Sequence, residues 1–107
     1  MILNIYKPKG ITSFGVVKKI RKIISEKKVG HGGTLDPFAE GVLMVGTGKD
    51  TKKLKNITDS DKSYTASIQL GKITDTLDPE GVVTKKKKIP KLNDSKINEI
   101  LDSFLGT

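Results

Sequence analysis

This sequence predicts an α/β (α+β) fold in which a mixed, mainly antiparallel sheet is flanked by helices, and three observations carry that expectation. From Lys62 to Leu70, Tyr64, Ala66, Ile68 and Leu70 alternate strictly with Ser63, Thr65, Ser67 and Gln69, the period of a half-buried strand. Val16, Val17, Ile20, Ile23 and Ile24 recur instead at helical spacing, as do Ile97, Ile100, Leu101, Phe104 and Leu105. Short apolar runs closed by glycine and proline turns lie between these segments.

Taken in order, residues 2 to 6 read as a short strand ended by the turn Lys7-Pro8-Lys9-Gly10. A helix follows, capped by Thr12 or Ser13, with a buried apolar face and a basic face of Lys18, Lys19, Arg21 and Lys22. Next comes a glycine-rich loop, Gly30 to Gly41, and a buried strand Val42-Leu43-Met44-Val45 closed by Gly46-Thr47-Gly48. A short helical turn is expected over Asp50 to Leu54. The strand from Lys62 ends at Gly71, Thr74 to Gly81 is turn chemistry, and Val82-Val83-Thr84 starts a return strand that runs into Lys85 to Lys88. That lysine run reads most simply as a solvated edge that blocks aggregation, with an RNA-phosphate patch as the alternative. The last helix is expected to be capped by Asp94 or Ser95 and stopped at Gly106.

Composition narrows the function. Twenty Lys+Arg against 12 Asp+Glu give a formal charge of +8, which favours a polyanionic partner, nucleic acid first. The absence of cysteine excludes disulfides, thiol nucleophiles and cysteine-ligated zinc, and a single histidine excludes a multi-histidine metal site. The N-terminus lacks the apolar stretch of a signal peptide, and no apolar run approaches bilayer length, so the expected location is cytoplasmic. At 107 residues the chain falls within the range of one domain.

Within the glycine loop, His31, Gly32 and Gly33 would let a ligand approach the backbone, and the Thr34 hydroxyl lies beside it; a pair of loop glycines is also simply a tight turn. Asp36 before Pro37 has the same two readings, functional carboxylate or turn opener. The chain carries an internal control, because Thr76-Leu77-Asp78-Pro79-Glu80-Gly81 repeats much of the motif without the preceding His-Gly-Gly. On that difference Asp78 reads as a turn residue and Asp36 as the functional one. Lys62 shares a strand face with Tyr64, an unusual place for lysine; either it snorkels from the strand end, or it floors a site in which Tyr64 stacks on an unstacked base.

These segments together resemble the TruB family of pseudouridine synthases. The resemblance rests on a Lys-Pro-x-Gly-x-Thr-Ser opening (Lys7, Pro8, Gly10, Thr12, Ser13), the Gly30 to Gly41 loop, an Asp-Ser-x-Lys-x-Tyr stretch (Asp59, Ser60, Lys62, Tyr64), and a Thr-Asp-Thr-x-Asp-x-x-Gly connection (Thr74, Asp75, Thr76, Asp78, Gly81). The last two favour the bacterial stand-alone branch. The resemblance implies a pseudouridine-synthase-like fold and isomerisation of a T-loop uridine in tRNA. Asp36 would be the catalytic carboxylate, Tyr64 would pack on the target base, and His31 would help hold the flipped-out nucleotide. Lys62, Gly32, Gly33 and Thr34 would complete the substrate-binding surface.

Because nothing leaves the substrate in that reaction, one carboxylate in a water-poor pocket suffices, and neither metal nor cofactor is expected. The implied partner is the tRNA T stem-loop; no membrane or protein partner is implied. Family members continue past a Phe-x-Gly like Phe104-Leu105-Gly106 to an arginine that pairs with the catalytic aspartate and to an RNA-binding domain. Residues 1–107 are therefore expected to be the N-terminal part of the catalytic domain, inactive alone. Two other readings stay open on the residues: a non-catalytic basic RNA-binding module on the same scaffold, and a phosphate-binding enzyme using the glycine loop.

Overall fold

The computed structural model describes residues 1–106, which divide into two compact units, one from Met1 to Thr65 and one from Ala66 onward. The architecture is α+β, and every strand pairing described is antiparallel.

The first unit is a three-stranded sheet with one long helix on its face. Its strands are β1 (Ile2–Lys7), β2 (Val29–Gly32) and β3 (Gly41–Thr47), in the order β1-β3-β2. The central position of β3 explains why Leu43 and Val45 are fully buried. Their register partners Ile5 and Leu3 point to the same side, and Val16, Val17 and Ile20 of α1 (Ser13–Ile24) close over them together with Val29. Fully burying each such side chain stabilises the unit by about 1.5–3 kcal/mol.

Helix α1 begins where the sequence places it. Of the two candidate caps it is Thr12 that acts, its hydroxyl accepting the Gly15 N–H at 2.9 Å. The helix ends at Ser25 in a left-handed conformation, with the Arg21 guanidinium donating to the Val29 carbonyl at 3.1 Å. The expected apolar face is shorter than its periodicity, because the sheet covers α1 only as far as Ile20 and leaves Ile23 and Ile24 exposed.

A second correction concerns the glycine loop, whose first residues are strand rather than loop. Val29 and His31 alternate with Gly30 and Gly32, and β2 pairs Val29 with Thr47 and His31 with Val45. On its glycine face the sheet receives Leu54, which opens α2 (Leu54–Thr58) after a 3₁₀ helix at Gly48–Lys53. The two glycines that pair across the strands, Gly30 and Gly46, both lie under Leu54: added Cβ atoms would stand 3.5 Å from Leu54 Cδ1 and 3.1 Å from Leu54 Cγ. The expected turn over Asp50 to Leu54 is thus the middle of a longer helical passage.

The expected strand from Lys62 to Leu70 is absent. Residues 61–69 take no regular structure and are exposed throughout. Alternation supplies a face but not a neighbour, and among the described residues no strand offers its backbone to this one.

In the second unit, β4 (Lys72–Thr74) and β5 (Val83–Lys86) form a hairpin with an irregularity at Ile73/Thr74. The turn between them is held by its carboxylates: Asp78 Oδ1 accepts from the Thr76 hydroxyl and the Glu80 N–H, and Asp75 Oδ1 accepts from the Val82 N–H. Helix α3 (Asp94–Asp102) follows. Its cap is Asn93, whose side chain accepts from the Lys96 N–H at 2.8 Å, not Asp94 or Ser95, and it ends at Ser103, before Gly106. Ile97, Ile100 and Leu101 keep their helical spacing but none is buried.

Candidate functional site

The connection from β2 to β3 carries Asp36, and its backbone is fastened on both sides of that residue. Ahead of it, Ser13 Oγ accepts the Leu35 N–H at 2.9 Å and donates to the Leu35 carbonyl at 3.0 Å. Behind it, the Pro37 carbonyl accepts the Gly10 N–H at 2.7 Å and lies 3.4 Å from Lys7 Nζ. A turn hydrogen bond from the Ala39 N–H to the Asp36 carbonyl, 3.0 Å, folds the segment on itself. At its far end Glu40 receives the Tyr6 hydroxyl at 2.6 Å and faces Lys9 at 3.8 Å. Every one of these outside anchors comes from the stretch Tyr6 to Ser13, so the Lys-Pro-x-Gly-x-Thr-Ser opening is the cradle of the Asp36 loop. Gly33 and Gly41, with φ of +75° and +139°, bound the loop in conformations that favour glycine.

Lys7 is the residue that sequence reasoning misses. Its neighbours Pro8 and Gly10 point to a turn, yet it is the last residue of β1, on the core face with Leu3 and Ile5, and its side chain has 0% exposure. Its three N–H donors meet three carbonyls, those of Ile11 (2.7 Å), Pro8 (3.0 Å) and Pro37 (3.4 Å). A buried polar group is tolerated when its hydrogen bonds are made, and here they are made between the strand end, the helix entry and the Asp36 loop. The signal available in the sequence is the alternation Leu3, Ile5, Lys7.

In contrast to its backbone, the Asp36 side chain is exposed and has no hydrogen-bond or ion-pair partner among the described residues. A free carboxylate on a fixed loop can serve as nucleophile or base, because no internal bond has to break before it acts. The Tyr6 hydroxyl, by contrast, is committed. Its hydrogen bond to the Glu40 carboxylate holds the phenol above the usual tyrosine range.

The other expected site residues fall in different settings. His31 lies in β2 opposite Val45, and its Nδ1 is buried with no hydrogen-bond partner among the described residues. Gly32 faces α2: an added Cβ would meet Thr58 Oγ1 at 2.9 Å and the Leu54 carbonyl oxygen at 3.3 Å, so the bare backbone expected to face a ligand there faces a helix. Gly33 is open on that account, with nothing within 4 Å of its Cβ position, and Thr34 is exposed beside it. Lys62 and Tyr64 sit in the irregular 61–69 segment, Tyr64 with 71% exposure, and no hydrogen bond or ion pair joins either to Asp36. The aromatic platform and the carboxylate are thus not brought together by strand pairing within the described chain.

Residues 21–107 match the model of the TruB family pseudouridylate synthase, N-terminal domain. The chain belongs to the TruB family.

Relatives in that family include the tRNA pseudouridine synthase B of Dehalococcoides mccartyi strain 195, 48% identical over 98% of this chain and 35% of its own length. Those of Clostridium acetobutylicum and Desulfotalea psychrophila are also 48% identical, over 98% and 99% of this chain and 36% and 44% of theirs. The chain therefore spans about a third to under half of the length of these curated relatives. Among solved structures, an H/ACA ribonucleoprotein bound to a substrate RNA containing 2′-deoxyuridine is similar to 51% of this chain and 17% of that one, at 47% identity and a TM-score of 0.50. No helix of the described residues is long and apolar enough to cross a membrane.

Proposed function

We propose that this chain supplies the catalytic carboxylate and loop of a cytoplasmic tRNA pseudouridine synthase that acts on a uridine of the T stem-loop. The observation that carries the reading is the unpartnered Asp36 carboxylate on a loop clamped at Leu35 and Pro37. In the reaction the N1–C1′ bond breaks, uracil turns within the pocket, a C5–C1′ bond forms, and the proton lost from C5 is balanced by the one N1 gains. Atoms and electrons balance within one nucleotide, so the chemistry requires a carboxylate and exclusion of water rather than a leaving-group acid. Asp36 acts either by attacking C1′ or by letting a C2′ proton depart to Tyr64. The target base must leave its stack first. His31, in the strand that leads into the Asp36 loop, is assigned to holding the extruded nucleotide, and Tyr64 is an exposed aromatic face on which a base can stack. Lys62, Gly33 and Thr34 are assigned to the same substrate-binding surface, and Gly32 to the backbone beneath it, packed on α2.

Asp36→Asn in the intact protein that carries this chain tests the reading. Pseudouridine formation in a T-stem-loop RNA is expected to be abolished while RNA affinity is retained, because an amide is neither nucleophile nor base. Wild-type protein that binds this RNA without isomerising it would establish instead a non-catalytic RNA-binding module on the same scaffold.

A further inference from the structure

We propose that the β4–β5 hairpin is an RNA-backbone contact, a lysine strip that holds phosphates outside the catalytic loop. Its register sets Lys72 directly opposite Lys86, with Lys85 opposite Ile73 and the Lys87 N–H bonded to the Gly71 carbonyl at 2.7 Å. Like charges directly opposite each other destabilise a two-stranded pair, and among the described residues no third strand joins this hairpin to compensate. None of Lys72 and Lys85 to Lys88 has a carboxylate within ion-pair distance among the described residues. Of the three carboxylates in the hairpin connection, Asp75 and Asp78 are engaged in the turn at the opposite end, and Glu80, in that same turn, forms no ion pair among the described residues.

Protection of an exposed edge explains charge on β5 but not this arrangement. A charge of either sign blocks edge-to-edge pairing, and a glutamate in place of Lys86 would do so while pairing with Lys72. Five lysines of one sign around a two-stranded ribbon are instead suited to a polyanion that relieves their repulsion on binding. Same-face side chains on a strand repeat at about 6.6–6.8 Å, comparable to the spacing of successive phosphates along a nucleic acid strand. All five are exposed. The choice of RNA as the polyanion rests on the function proposed above; the charge geometry does not.

Lys86→Glu in the intact protein separates the two roles. The strip predicts that thermal stability is kept or raised, since the introduced carboxylate would face Lys72, while affinity for a T-stem-loop RNA at low salt falls at least several-fold. Replacing Lys85, Lys86, Lys87 and Lys88 by Gln should lower the slope of log affinity against log salt by about 2–4, and replacing them by Arg should restore it, as each phosphate contact contributes roughly 0.7–0.9. An unchanged RNA affinity and slope in both the Glu and Gln variants would overturn the proposal. So would a loss of binding to polyglutamate with RNA binding intact, which would mark an acidic protein surface as the partner. Because these readouts are affinities, they stand or fall independently of whether Asp36 proves catalytic.

Discussion

Ser13 and Leu35 share a two-way hydrogen bond, in which one hydroxyl accepts the Leu35 N–H at 2.9 Å and donates to the Leu35 carbonyl at 3.0 Å. The residue after Leu35 is Asp36, so a side chain from the helix entry fixes the backbone that aims the carboxylate. Ser13→Ala removes both bonds and leaves a half-buried amide and carbonyl to find new partners, a loss of about 1–3 kcal/mol. On the proposed function, the expected outcome in the intact protein that carries this chain is a lowered kcat with KM for RNA little changed, and rescue by Ser13→Thr. Single-turnover kinetics on a T-stem-loop RNA measures it; an unaltered kcat in the Ala variant would show that the loop holds its shape without Ser13.

Lys7 is predicted to act through stability. Lys7→Met fills similar volume but leaves the carbonyls of Pro8, Ile11 and Pro37 without their buried donor. A loss of about 1–3 kcal/mol is expected from unsatisfied acceptors, read as a lower denaturant midpoint. Lys7→Arg should recover little of it, since a planar fork does not match three carbonyls gathered around one nitrogen.

The glycines of β2 are expected to differ sharply. Gly32→Ala would bring a Cβ within 2.9 Å of Thr58 Oγ1 and 3.3 Å of the Leu54 carbonyl oxygen, forcing α2 to shift, whereas Gly30→Ala meets Leu54 Cδ1 at an ordinary 3.5 Å. Overpacking of this kind costs about 1–3 kcal/mol, so thermal melts should separate the two variants, with Gly30→Ala near wild type.

The Tyr6–Glu40 bond gives a pH dependence of definite sign. The phenol is raised by its hydrogen bond to Glu40, so the interaction contributes fully below the ordinary tyrosine value and is lost as pH rises through the raised one. In an ultraviolet phenolate titration, Glu40→Gln should move one tyrosine transition to lower pH, and Tyr6→Phe should remove that transition. A titration curve unchanged by Glu40→Gln would show the bond to be absent in solution.

Sequence alone determined the segments whose character is local: the strand at β1, the start of α1 behind a Thr/Ser cap, the apolar run of β3, the turn built around Asp78, and the Asp-Pro turn that carries Asp36. Caps, turns and helical periodicity act over a few residues, so the residues themselves specify them. The tertiary structure decided what depends on a neighbour. Val29-Gly30-His31-Gly32 is a strand because β3 pairs with it, and its glycines are bare because α2 packs there. Lys62 to Leu70 has the better strand pattern and forms none, because no described strand accepts its backbone hydrogen bonds. Lys7 is buried because three carbonyls, one of them about thirty residues along the chain, converge on its amine. Periodicity states which face a segment would bury; only a partner elsewhere in the chain satisfies the backbone and side-chain donors that make burial stable.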